Sequence, residues 1–208
     1  MIIFVMMITY VIMITTVVVS VLAMENNMMK GKLMFNPYLI NHNNEWYRFI
    51  SNAFIHADWT HLAFNMFALY VFGRAVEEEY RFIFMNKGGL FYVLLYIGGM
   101  VLSSLYEYER NKNNIHYNAL GASGAVSSVV FAYIIISPTQ KLIFLFLPVP
   151  LPAYLFGILF LAIEYYMGKK GQTNIGHNAH FWGAVHGIIF TVLLKPSLIT
   201  TFFQQIFL

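Results

Sequence analysis

Ala179-His180-Phe181-Trp182-Gly183-Ala184-Val185-His186-Gly187 opens an apolar run that continues to Leu194. Counted from Asn178, the run is long enough to cross a bilayer as a helix, which takes about 20 residues at 1.5 Å rise each. Ionisable groups are costly at that depth, so a histidine there is a functional candidate by default. At about 100° per residue, His180, Gly183 and Gly187 fall within roughly 60° of one another. That face is nearly bare of side chains, so a neighbouring helix can pack closely and meet His180. His186 points about 120° away and reads as a helix–helix or interfacial hydrogen bond.

Working outward, five more apolar stretches of similar kind precede this one. They run Ile2–Ala23, Trp59–Val76, Gly89–Tyr106, Asn118–Ser137 and Leu142–Tyr166, with Asn178–Leu194 the sixth. Of 208 residues, 59% are hydrophobic and only 10% charged, with mean hydropathy +0.65. Soluble domains carry about 25% charged residues, so most of this exterior must face lipid. The expectation is a single all-α domain of six spanning helices. The second, fourth and sixth stretches hold the polar residues, and the other three read as a lipid-facing scaffold. The uncharged start of the chain lacks a basic n-region and reads as a retained first span, not a leader.

There are no cysteines, which excludes disulfides, thiolate catalysis and Cys-ligated metal. The net charge of +3 comes from Lys and Arg scattered through loops, with no basic surface for nucleic acid. The polar segment from Glu25 to Asp58, with Trp46, Tyr47, Arg48 and Phe49, reads as lying at the membrane interface. Pro148, Pro150 and Pro152 should bend or interrupt the fifth helix near its start. With a cytoplasmic N-terminus, five basic residues fall inside and seven outside, so charge alone does not set topology. Nothing in the sequence speaks to oligomeric state.

Two further constellations sit on the polar stretches. In His56-x4-His61-x3-Asn65, His61 and Asn65 share one helical face and both can donate hydrogen bonds. Glue between helices and function explain that pair equally well. In Gly121-Ala122-Ser123-Gly124, a serine just inside a helix start sits among unpaired N–H groups, a suitable place to stabilise an oxyanion. Small residues are also common packing motifs in membrane helices, so this motif alone is weak. Together the three constellations supply a nucleophile, a base and oxyanion donors on separate helices. No carboxylate, Glu164 included, is placed near the site, which makes Ser123 and His180 a dyad. His42, His116 and His177 read as solvated loop residues.

The order His56, His61, Asn65, then G-A-S-G, then A-H-x-x-G-x-x-x-G resembles the rhomboid family of intramembrane serine proteases from Tyr47 to Gly187. The resemblance implies a six-helix bundle in the cell membrane, both ends cytoplasmic, with the site open to the extracytoplasmic side. It implies Ser123 as nucleophile and His180 as base. His61, Asn65 and the Ser123 backbone N–H would form the oxyanion hole, with Gly121, Gly124, Gly183 and Gly187 as structural neighbours. It implies single-span membrane proteins as substrates, entering beside the fifth helix, and no cofactor or metal. Many members carry an aromatic residue four after the serine, stacked on the histidine; here it is Ser127, so what holds His180 is open. A catalytically inactive rhomboid-like binder of transmembrane segments is the nearer alternative. A His-lined ion or metal transporter is the more distant one, disfavoured because no carboxylate accompanies the histidines.

Overall fold

Helices dominate the computed structural model, which describes residues 8–144, 147–171 and 175–208. The first, α1 (Ile8–Glu25), follows from an almost uninterrupted apolar run. The start of the stretch expected from Ile2 lies outside the described residues. The buried Glu77 carboxylate accepts the N–H groups of Ile8 and Thr9 at 2.9 and 2.8 Å, satisfying two donors that a helix start leaves unpaired.

Three short helices follow: α2 (Asn27–Leu33), α3 (Pro37–Asn43) and α4 (Arg48–Ser51). Asn26 and Asn36 cap α2 and α3 with their side-chain oxygens. This segment carries exposed aromatics such as Trp46, as an interfacial loop should. Arg48 instead turns inward and is buried, donating to the carbonyls of Gly31 and Met34 at 2.9 and 2.7 Å.

From α5 (Trp59–Ala68) the chain passes through a π-helical turn, Leu69–Gly73, into α6 (Arg74–Phe84). The helix thus outruns the boundary expected at Val76. Its polar residues on the inner side are partnered: the buried Glu77 pairs with Arg81 at 2.9 Å, and Tyr80 bonds Thr191 at 2.7 Å, while Glu78 is exposed. A turn at Met85–Lys87 leads to α7 (Gly88–Asn111), which packs back on α6. The turn is tight: a β-carbon at Gly88 would strike the backbone of Tyr80 and Arg81.

The fourth stretch becomes helical only at Ser123, giving α8 (Ser123–Ile136). The fifth differs more. Its prolines do not bend a helix. They lie in β2 (Leu147–Pro152), which pairs antiparallel with β1 (Lys141–Phe144), and the link at 145–146 lies outside the described residues. Three prolines at alternate positions force their predecessors to be extended, so helix begins only after the last. It then runs as α9 (Ala153–Lys170) and stops at Gly171, in the left-handed region at φ 62°. Helix α10 (His177–Leu194) meets α11 (Ser197–Phe207) at a bend of 110°.

The centre of the molecule is α7, α8 and α10 in mutual contact. The third stretch is therefore not lipid-facing scaffold, since Tyr92, Leu95, Tyr96 and Ser103 are buried. Its small residues explain the approach: a β-carbon at Gly99 would lie 2.9 Å from the Ala125 Cα. Each of the six expected stretches contains a helix. By length and apolarity alone, Ile8–Glu25 and Trp59–Asn111 qualify to cross a membrane among the described residues, with bent α10–α11 a third and Ser123–Ile136 shorter. The chain is a mostly helical integral membrane protein; six spans are not established by these lengths.

Candidate active site

Ser123 is the first residue of α8. Before it, Gly121 turns the chain at φ +120°, a conformation that L side chains rarely adopt, and a β-carbon there would lie 2.6 Å from the His61 ring. Glycine at 121 is thus required twice. The turn is held from outside: Gly121 N–H donates to the Asn52 carbonyl at 2.9 Å, and Phe35 and Ala119 exchange backbone bonds at 2.9 and 3.0 Å. The interfacial segment and the serine loop are stitched together.

His56 completes this support. It is fully buried, and its Nε2 accepts the Ala122 N–H at 3.4 Å. Nδ1 must then carry the proton, which it donates to Ser20 Oγ at 2.9 Å, while Ser20 donates to the Phe54 carbonyl at 2.9 Å. Burial, with His61 adding repulsion, holds His56 down to about 3, so it is neutral. The His56 and His61 rings meet edge to face at 4.9 Å. Asn65, also buried, donates back to the His61 carbonyl at 2.9 Å.

No side chain caps α8, and the N–H groups of Ser123, Gly124 and Ala125 have no acceptor among the described residues. These donors form the positive end of the helix beside the hydroxyl. Helix α10 lies directly against them. A β-carbon at Gly183 would overlap the Gly124 carbonyl oxygen, and one at Gly187 the Ser128 carbonyl oxygen. The two contacts advance together along both helices, so α8 and α10 run parallel, with α10 starting more than a turn beyond the first residue of α8. Ser123 precedes Gly124, and His180 precedes Gly183 by one turn, which puts both at the N-terminal end of this contact. No hydrogen bond joins Ser123 to His180 among the described residues. Gly124 also abuts Ser103 of α7, a neighbour that the small-residue pattern Gly98-Gly99…Ser103-Ser104 could have suggested.

His186 bonds Ser128 Oγ at 2.7 Å, the interhelical role expected of it. Two expectations fail. Glu164 is not remote from the site: its Oε1 lies 3.1 Å from His180 Nδ1. His177 is not a solvated loop residue but the buried first residue of α10, with Nδ1 2.6 Å from Glu164 Oε2. Helix α9 delivers Glu164, and one turn earlier Phe160, whose ring lies 6.3 Å from that of His180. Glu164, His177 and His180 offer ligand atoms within 4.8 Å of one another, a donor set that suits a divalent cation. A carboxylate therefore does accompany the histidines, which removes the reason given against metal.

Comparison with known proteins agrees with the family resemblance. The rhomboid-like protein 11, chloroplastic, of Arabidopsis thaliana is 29% identical over 166 residues, covering 76% of this chain and 56% of that protein. The mitochondrial rhomboid-like protein 12 of the same plant is 28% identical over 74% of this chain and 49% of its own length. Rhomboid protease AarA of Providencia stuartii is 26% identical over 76% of this chain and 59% of its own. The chain spans about half the length of these curated relatives. The profile of the Rhomboid domain matches residues 43–197, from the interfacial segment through both glycine contacts of α10, and the chain belongs to the rhomboid family.

Proposed function

We propose that this chain is an intramembrane serine endopeptidase that cleaves transmembrane segments of single-span membrane proteins. The observation that carries the proposal is a serine at an uncapped helix start, locked by glycine contacts at the same end as His180. His180 takes the Ser123 proton as Oγ attacks the scissile carbonyl carbon. The oxygen that becomes negative is received by the free N–H groups of α8 together with His61 and Asn65. The C–N bond then breaks, His180 returns its proton to the departing amine, and water hydrolyses the acyl-serine by the same route. In the proposed protease, six helices span the bilayer and the site opens to the extracytoplasmic side. Two relatives bear organelle names, so fractionation of the native protein decides which membrane is meant.

The test is labelling of the purified chain by a fluorophosphonate probe alongside cleavage of a model single-span substrate. Labelling through Ser123 with cleavage supports the proposal. The missing Ser123–His180 hydrogen bond favours one other reading, a binder that does not cut. Substrate capture with neither labelling nor cleavage would establish it.

A further inference from the structure

We propose that Glu164 is the positioning residue for His180, which turns the dyad into a Ser123–His180–Glu164 relay. The inference rests on the protease reading above and answers what holds the base when Ser127 replaces a stacking aromatic. Glu164 is buried, with about 8% of its surface exposed, in a helix that is otherwise apolar here. An ionised carboxylate at such depth is costly unless hydrogen-bonded. It has two bonds, one from each imidazole Nδ1, at 2.6 Å from His177 and 3.1 Å from His180.

A carboxylate can only accept, so this geometry requires the proton of each ring to sit on Nδ1. The Nε2 of His180 is then left with its lone pair, the form a general base needs to take the Ser123 proton. Once His180 has that proton, the same carboxylate faces an imidazolium. His177 serves the arrangement from the other oxygen. It occupies Oε2, so the carboxylate cannot rotate away from His180, and its own Nε2 is buried without a partner among the described residues. Phe160, one turn before Glu164, approaches the ring of His180, so α9 restrains it at both ring and nitrogen. Among the described residues, the other charged or titratable groups around His180 are His61 from α5 and, through Asn178, Glu107 of α7, with Asn178 and Glu107 2.6 Å apart. Neither of these bonds His180 Nδ1.

The experiment compares the full-length wild type with Glu164→Gln, Glu164→Asp, His177→Gln and Ser123→Ala in one detergent. Glutamine is nearly isosteric but uncharged, and it offers one oxygen to two Nδ1–H groups, so one ring, His180 or His177, must accept from the amide N–H₂ and carry its proton on Nε2. Expected are a fall in kcat on the order of 10²–10⁴-fold with KM held, slowed fluorophosphonate labelling, and partial recovery in Glu164→Asp. The ¹⁵N imidazole spectrum of His180, assigned by difference with His180→Gln, should show the Nδ1–H pattern while Glu164 is present, and in Glu164→Gln either His180 or His177 should switch to the Nε2–H pattern. That spectrum is readable in the inactive Ser123→Ala protein, so the inference can be judged even if the protease reading fails. An Nε2–H tautomer of His180 with Glu164 present, or Glu164→Gln cleaving at the wild-type rate, overturns it. So does loss of activity in EDTA with recovery on adding Zn²⁺, which would make the cluster a metal centre. If Glu164→Gln does not fold, Glu164→Asp and His177→Gln decide by the same spectrum.

Discussion

Gly183 of α10 lies so close to Gly124 of α8 that no β-carbon fits between it and the Gly124 carbonyl oxygen. The obstacle is backbone, so no rotamer change relieves it. Gly183→Val must separate the helices that present Ser123 and His180. Overpacking costs about 1–3 kcal/mol and shifts backbone. Both the melting temperature and turnover should fall; unchanged values for both would mean that this face does not meet α8.

Ser123→Ala and His180→Ala should each abolish detectable cleavage, and the double variant should be no worse than either, because the two act as a unit. Single-turnover assays on the three proteins give the comparison. Residual cleavage by Ser123→Ala, after contamination is excluded, sinks the mechanism.

Asn65 and His186 should behave oppositely. Loss of one preorganised oxyanion donor costs about 10²–10³ in rate, so Asn65→Ala should be slow but measurable. His186→Ala should retain turnover and lose stability, since it leaves the buried Ser128 hydroxyl unpaired at a cost of about 1–3 kcal/mol. A reversal of these phenotypes would mean that the sixth stretch faces the site through His186.

Acid should loosen the serine loop through His56. Its folded value, about 3, lies below the unfolded reference of 6.5, so the unfolded chain binds the extra proton first. Stability from neutral His56 is present above about pH 6.5 and is lost as pH falls from there towards 3, at about 1.4 kcal/mol per unit. Melting curves from pH 8 to 5 should decline in wild type and be flatter in His56→Gln, which starts from a lower value. Parallel curves would assign the acid sensitivity elsewhere.

Substrates should have to unwind. Freeing a helical peptide bond in lipid leaves backbone groups unpaired, each costing several kcal/mol, and Gly or Pro weakens the helix by about 1 or 3 kcal/mol relative to Ala. Cleavage is expected near the outer end of the substrate helix, after a small residue. Replacing the substrate's helix breakers by leucine should slow cleavage; equal rates for both substrates would remove unwinding from the mechanism.

What could be read in advance divides along physical lines. Ser123, His180 and their flanking glycines are local patterns, and helical periodicity alone puts His180 and Gly183 on one face. Glu164 carries no such mark. It stands sixteen positions before His180, across a loop, and looks like one more charge near Lys169 and Lys170 at the end of an apolar run. Only the antiparallel return of the chain brings it to the ring. His177 was misjudged for the same reason, since its partner is in another helix. The hairpin was legible but misread: Leu147-Pro148-Val149-Pro150-Leu151-Pro152 is an extended pattern, not a kinked helix. The burial of α7 was hidden because small residues suit lipid and helix contacts alike.

The stitching of α7, α8 and α10 through glycine leaves little freedom to part them, so in the proposed protease a transmembrane segment would have to enter past another neighbour. Helix α9, beside the expected doorway, is also the helix whose Glu164 grips His180. A wide swing of α9 would therefore disarm the base at the moment the door stands open. Such a protein could not cut whatever first slips in: the peptide must stay long enough for the door to close behind it, and dwell time becomes a criterion of selection.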